Sequence, residues 1–206
     1  MNKDFYSMVM KHFNYLVTDY GFVVKKAEIS ENRSQTEGRI EFETATTFVT
    51  VSGEQFGADA CVGRLKDDKY YHCLDPRAIY EYLSLTQADK EIICSFNPSD
   101  DRKARVIVHQ NRLLHSKRDS SNHVEDIENQ IADNSRWLRQ YAKPFLRGDF
   151  SRWLEIYEFM VTRQRAERAR AGKDELVQVV GRGKNHRESV FQSSLDYLER
   201  LRKENE

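Results

Sequence analysis

Residues 38–52 read GRIEFETATTFVTVS, and this stretch decides the fold class. Gly38 to Glu43 alternates Ile40 and Phe42 with Arg39, Glu41 and Glu43, a period of two that puts apolar side chains on one face of a strand and charged ones on the other. Thr47 to Ser52 then sets β-branched and aromatic residues in a row, which predicts a second strand. Around these, Phe22 to Ile29 opens the β-rich region, Gln55 to Arg64 continues it, and Tyr70 to Leu74 adds a short edge strand. The connections are short and polar, with Asn32-Arg33-Ser34 and Ser52-Gly53-Glu54 as turn material. A parallel crossover needs about a dozen or more residues, so the strands form an antiparallel meander. Upstream, Phe5, Val9, Phe13, Leu16 and Tyr20 recur every three or four residues, the stripe of an amphipathic helix, and Gly21 stops it.

Downstream the pattern turns helical. Asp75-Pro76 reads as an N-cap with proline at the first helical position, and Ile79, Tyr82 and Leu83 form the buried side of a short helix. Thr86 to Phe96 predicts a helix closed by Asn97-Pro98. Asp101 to Leu114 predicts another, with a strand over Val106-Ile107-Val108 as the alternative. The Ser-rich tract Lys117 to Asn122 has linker composition. From about His123 a long helix places Val124, Ile127, Ile131, Leu138, Tyr141 and Phe145 on one side, bent or ended near Pro144. After Gly148-Asp149, Trp153, Ile156, Tyr157, Met160 and Val161 mark a further apolar face, and the two helices suit an αα-hairpin. Phe191, Leu195, Leu198 and Leu201 define a last helix. The expected fold is α+β: an N-terminal helix on an antiparallel meander in residues 1–121, with a mostly helical region, 122–206, packed against it.

Lys plus Arg and Asp plus Glu both total 33, so the formal net charge is zero, which argues against a protein built to coat nucleic acid. No apolar leader and no run of about 18 apolar residues is visible, so a cytoplasmic protein without membrane association is expected. Cys61, Cys73 and Cys94 form no CxxC pair with one another and lie in apolar surroundings, the setting of reduced, buried thiols. None of the histidine, cysteine or carboxylate spacings makes a metal site, a nucleophile elbow or an acid/base pair, so no catalytic residue, metal or cofactor is expected. Gly181-Arg182-Gly183-Lys184 lacks the first glycine and the final hydroxyl of a phosphate loop, with Gln178 and Asn185 at those places. One charge asymmetry stands out. Arg163, Arg165, Arg168, Arg170, Lys173, Arg182, Lys184 and Arg187 face only Glu167, Asp174 and Glu175, a tract suited to a phosphate backbone or an acidic protein, or else a solvated helix end.

The order of features over residues 1–85, a helix ending Asp19-Tyr20-Gly21-Phe22, a meander, then Leu74-Asp75-Pro76 leading a helix with Tyr82-Leu83, resembles small bacterial proteins of the immunity type. Tyr141 to Leu146, continuing into Gly148-Asp149, is similar to the closing helices of such proteins. The resemblance transfers no functional residue and implies a protein that neutralises a partner toxin by covering it. A non-enzymatic protein-binding role in defence or conflict is therefore the expectation. The alternative is a nucleic-acid-associated module using residues 163–187, and an enzyme with an unrecognised site comes third.

Overall fold

The computed structural model describes residues 4–29, 37–54, 57–66, 69–70, 72–113, 123–170 and 195–204. Helix α1 (Phe5–Tyr20) starts where Asp4 accepts a hydrogen bond from the Ser7 N–H at 2.7 Å. It stops where Gly21 enters the left-handed region at φ 72°, and the Phe22 N–H returns to the Leu16 carbonyl at 2.9 Å. Phe5, Val9, Phe13 and Leu16 are fully buried, as the stripe demands.

Five strands follow, each antiparallel to the one before: β1 (Val23–Ile29), β2 (Gly38–Glu43), β3 (Thr47–Glu54), β4 (Gly57–Lys66) and β5 (Lys69–Tyr70). The expected edge strand at 70–74 is divided in two. β5 takes its start, and Leu74 makes a separate bridge to Val62. Register fixes the core: Ile40 lies opposite Val51, Phe42 opposite Val49, Val49 opposite Val62 and Val51 opposite Ala60, so one apolar face is continuous across β2, β3 and β4. Phe13 of α1 stacks on Phe42 with ring centroids 6.3 Å apart. On the opposite face Phe48 lies across from Gly63, where a Cβ would come within 2.2 Å of the ring. Glycine in this strand is what lets the ring lie flat on the sheet and stay 3% exposed. β1 is the sheet's edge, exposed along its length, and carries Lys25 and Lys26 among its apolar residues.

The remaining elements are α2 (Pro76–Ser84), α3 (Gln87–Ile93), α4 (Asp101–Leu113), α5 (His123–Tyr141), α6 (Lys143–Leu146), α7 (Trp153–Arg170) and α8 (residues 195–204). α2 is capped as expected, with the Arg77 N–H on the Asp75 carboxylate at 2.7 Å. Its buried side differs from the expectation. Ile79 and Tyr82 are buried but Leu83 is 41% exposed, and Tyr80 and Glu81 occupy the interior instead. The reason is electrostatic: Glu81 turns inward to meet Arg163, which moves the buried face back along the helix. The helical reading holds over Asp101–Leu113. Ala104 is buried, Val106 is 46% exposed and Ile107 and Val108 are half-buried, so the β-branched run fans around a helix instead of alternating as a strand would.

The chain divides into two compact units. One comprises Met1–Tyr80 with Arg118–Phe150, the other Glu81–Lys117 with Ser151–Glu206. The boundary expected at residue 121 lies outside the described residues. In the first unit α5 packs on β4 and α1. Gln130 accepts from the Ala58 N–H at 3.0 Å and Asn134 donates to the Ala58 carbonyl at 2.9 Å, so polar side chains of α5 satisfy strand backbone under the helix. Ser135 donates to the His12 carbonyl and accepts at its own carbonyl from Tyr15, joining α5 to α1. In the second unit α7 packs on α3, and Trp153 donates to the Tyr197 hydroxyl of α8 at 3.2 Å. The two helices expected to pair as an αα-hairpin are thus assigned to different units.

Candidate functional site

Of the eight basic residues singled out by the sequence, four are described, all on α7, and Lys173 lies outside the described residues. Arg170 is turned inward, its side chain 2% exposed, donating to the carbonyls of Ile93 and Ser95 at 2.9 and 2.5 Å and lying 3.4 Å from Asp101. It ties down the C-terminal carbonyls of α3, a structural task. Arg163 pairs with Glu81 and Glu167. Burial disfavours its charged form, but the attraction of Glu81 and the hydrogen bond to Glu167 outweigh that and hold it protonated more firmly than an ordinary guanidinium. Arg165 is exposed, 5.9 Å from the ring centre of Phe96, and Arg168 is half-buried. Arg182, Lys184 and Arg187 lie outside the described residues. Arg163 and Arg170 are therefore committed to internal pairing.

A different basic cluster comes together in the first unit. The end of α1, the end of α5 and α6 enclose an open cleft of about 460 Å³ lined by Asp19, Tyr20, Arg139, Lys143, Leu146 and Arg147. Its geometry follows from local chemistry. Gly21 ends α1 at Tyr20, and α5 ends at Tyr141. Ala142 then leaves the helix and Pro144 opens α6 near its first position. Gly148, at φ 78°, closes α6: its N–H bonds the Phe145 carbonyl and the Asp149 N–H bonds the Pro144 carbonyl, both at 2.9 Å. A Cβ on Gly148 would lie 2.7 Å from the Thr46 hydroxyl, so this turn sits against the β2–β3 connection. Thr47 fixes it further by donating to the Phe145 carbonyl at 2.9 Å.

Within the cleft the charges are unequal. Arg139 lies 3.2 Å from Asp19 and 5.1 Å from the centre of the Tyr15 ring, where it also complements the C-terminal dipole of α1. Lys143 and Arg147 are exposed and have no ion-pair partner among the described residues. The neighbouring surface is partly apolar: Val17, one turn before Tyr20, is 37% exposed, and Val23, three residues after it, is 61% exposed. A set of three cations, one acid, a tyrosine and two valines can bind an anionic surface. It holds no nucleophile and no acid/base pair.

The sequence carried a signal for this cluster. Arg139, Lys143 and Arg147 recur every four residues, and no acid stands three or four residues from any of them. Like charges at that spacing repel rather than stabilise a helix.

The cysteines depart from the expectation of buried, inert thiols. Cys61 and Cys94 are half-buried, and Cys73 is exposed because the segment after β5 runs along the outside of β4. Asp100 and Asp101 serve local structure as expected, Asp100 accepting from Ser95 at 2.7 Å and Asp101 pairing with Arg105 at 2.7 Å; Asp67 and Asp68 lie outside the described residues. Among the described residues no three His, Cys, Asp or Glu side chains gather as a metal would need, and no helix is long and apolar enough to cross a membrane. Compared with known proteins, the chain matches no family model, no curated protein and no solved structure.

Proposed function

We propose that this protein is a non-enzymatic binding protein of the immunity or conflict-system kind, which occludes an acidic protein partner with the face built by Arg139, Lys143 and Arg147. The observation that carries this reading is the pair of exposed cations, Lys143 and Arg147, left without an acid partner among the described residues in a chain with as many acids as cations. Other surface cations do find acids, as Arg136 does with Asp133 and Arg152 with Glu155. Clustered like charges oppose one another until an acidic surface meets them, and such complementarity steers encounter and selects partners. Arginine and tyrosine beside exposed aliphatic side chains are also the residue types enriched at protein interfaces.

A protein partner is favoured over nucleic acid because the tract that suggested nucleic acid spends Arg163 and Arg170 inside the second unit. The test is capture from the native host with the wild-type chain and with the triple variant Arg139→Glu/Lys143→Glu/Arg147→Glu. The wild type is expected to retain one specific acidic protein, with an affinity that falls as salt rises. The triple variant should lose at least about tenfold in affinity, mainly through slower association. Retention of nucleic acid instead, or a partner indifferent to the three reversals, would overturn the reading.

A further inference from the structure

Cys61 and Cys73 lie on the outer face of the sheet, the side away from α1 and α5. The Val62–Leu74 bridge is closed by hydrogen bonds of 3.0 and 2.7 Å, so the residues just before each partner, Cys61 and Cys73, are diagonal neighbours that point to the same side. Diagonal Cα spacing, about 7 to 8 Å, exceeds the usual span of a disulfide, so closing the bond draws the segment after β5 toward β4; the two side chains already interact, which turns them toward each other. Thr50 stands directly opposite Cys61 in the β3–β4 register and hence on this face. It is 7% exposed, and its buried hydroxyl has no hydrogen-bond partner among the described residues.

We propose that this dithiol is an oxidative modification site, in which hydrogen peroxide oxidises Cys73 and Cys61 resolves it to an intramolecular disulfide. The two sulfurs are unequal in the sense this needs. The Cys61 thiol donates to the Cys73 sulfur, which raises Cys61 well above an ordinary thiol, with burial acting in the same direction. The same bond lowers Cys73, helped by its own backbone N–H and by Arg39. In the first step the Cys73 thiolate attacks one peroxide oxygen, the O–O bond breaks, and hydroxide leaves a sulfenic acid behind. In the second, the Cys61 sulfur attacks the Cys73 sulfur and the S–O bond breaks. The Cys61 proton leaves with that oxygen as water, so two thiols and one peroxide become one disulfide and two waters. The unpaired Thr50 hydroxyl is a donor in place beside Cys61 as its proton departs. The product staples the segment after β5 to β4, and a thiol reductant reverses it.

Cys94 is the internal control, half-buried, raised by burial and donating to the Phe159 carbonyl at 3.9 Å. The experiment uses the reduced full-length chain, treated with hydrogen peroxide, quenched by alkylation and mapped by mass spectrometry. Cys73 should be consumed at least about tenfold faster than Cys94, with the Cys61–Cys73 linked peptide as product. In the Cys61→Ser variant a carbon-acid probe should trap Cys73 as sulfenic acid, and in Cys73→Ser Cys61 should oxidise no faster than Cys94. Equal rates for Cys73 and Cys94, or only intermolecular disulfides, would exclude the site.

Discussion

Replacing Arg163 with methionine is expected to lower folding stability by about 3 kcal/mol, because it strips a buried carboxylate of its cation. The Glu81 side chain is 9% exposed and that of Arg163 16%, so neither reaches water freely once the other is gone. Removing one partner is costly because the survivor keeps its desolvation penalty without the attraction that offset it. Removing both is not. The double variant Glu81→Leu/Arg163→Met should recover most of the loss, and the two singles should be strongly non-additive. Denaturant unfolding of the four chains measures this directly. A single variant within about 0.5 kcal/mol of wild type would show that the pair is hydrated and contributes as little as a surface one.

Phe13→Ala should cost the first unit about 3 to 5 kcal/mol, a large part of the stability of an ordinary domain. Phe13 is fully buried and touches both the helix and the sheet, stacking on Phe42 and lying 6.2 Å from the Tyr15 ring. Its removal opens a void where α1 meets β2, and neither rigid element can collapse to fill it. Phe13→Leu, which keeps most of the volume, should cost less than half as much. Thermal unfolding that shows the alanine and leucine variants equally stable would mean that the N-terminal helix is not part of the core.

What was legible in the sequence was local. The alternation at 38–43 gave a strand with those bounds, Gly21 ended α1, and the Asp75 signal marked a real start, because each depends on residues within one turn or one strand pair. Where the sequence misled, the deciding partner was distant. Leu83 was given the interior that Glu81 occupies, since Arg163, 82 positions away, determines which side of α2 is buried. Arg170 reads as a binding or solvated cation because its acceptors at Ile93 and Ser95 lie 77 and 75 positions back. Cys61 and Cys73 read as unrelated thiols because only the bridge from Val62 to Leu74 brings them together. The cleft of Arg139, Lys143 and Arg147 was half legible. Its spacing is in the sequence, but its meaning depends on α1 ending beside it with a single acid, Asp19.

The claim that this protein acts by covering an acidic partner with that cleft is tested most directly by hydrogen exchange on the free chain and on its complex with the captured partner. Slowed amide exchange is predicted at the end of α1 and over residues 139–147, with exchange in residues 163–187 unchanged. Protection confined to 163–187, with the cleft exchanging as fast as in the free chain, would contradict it.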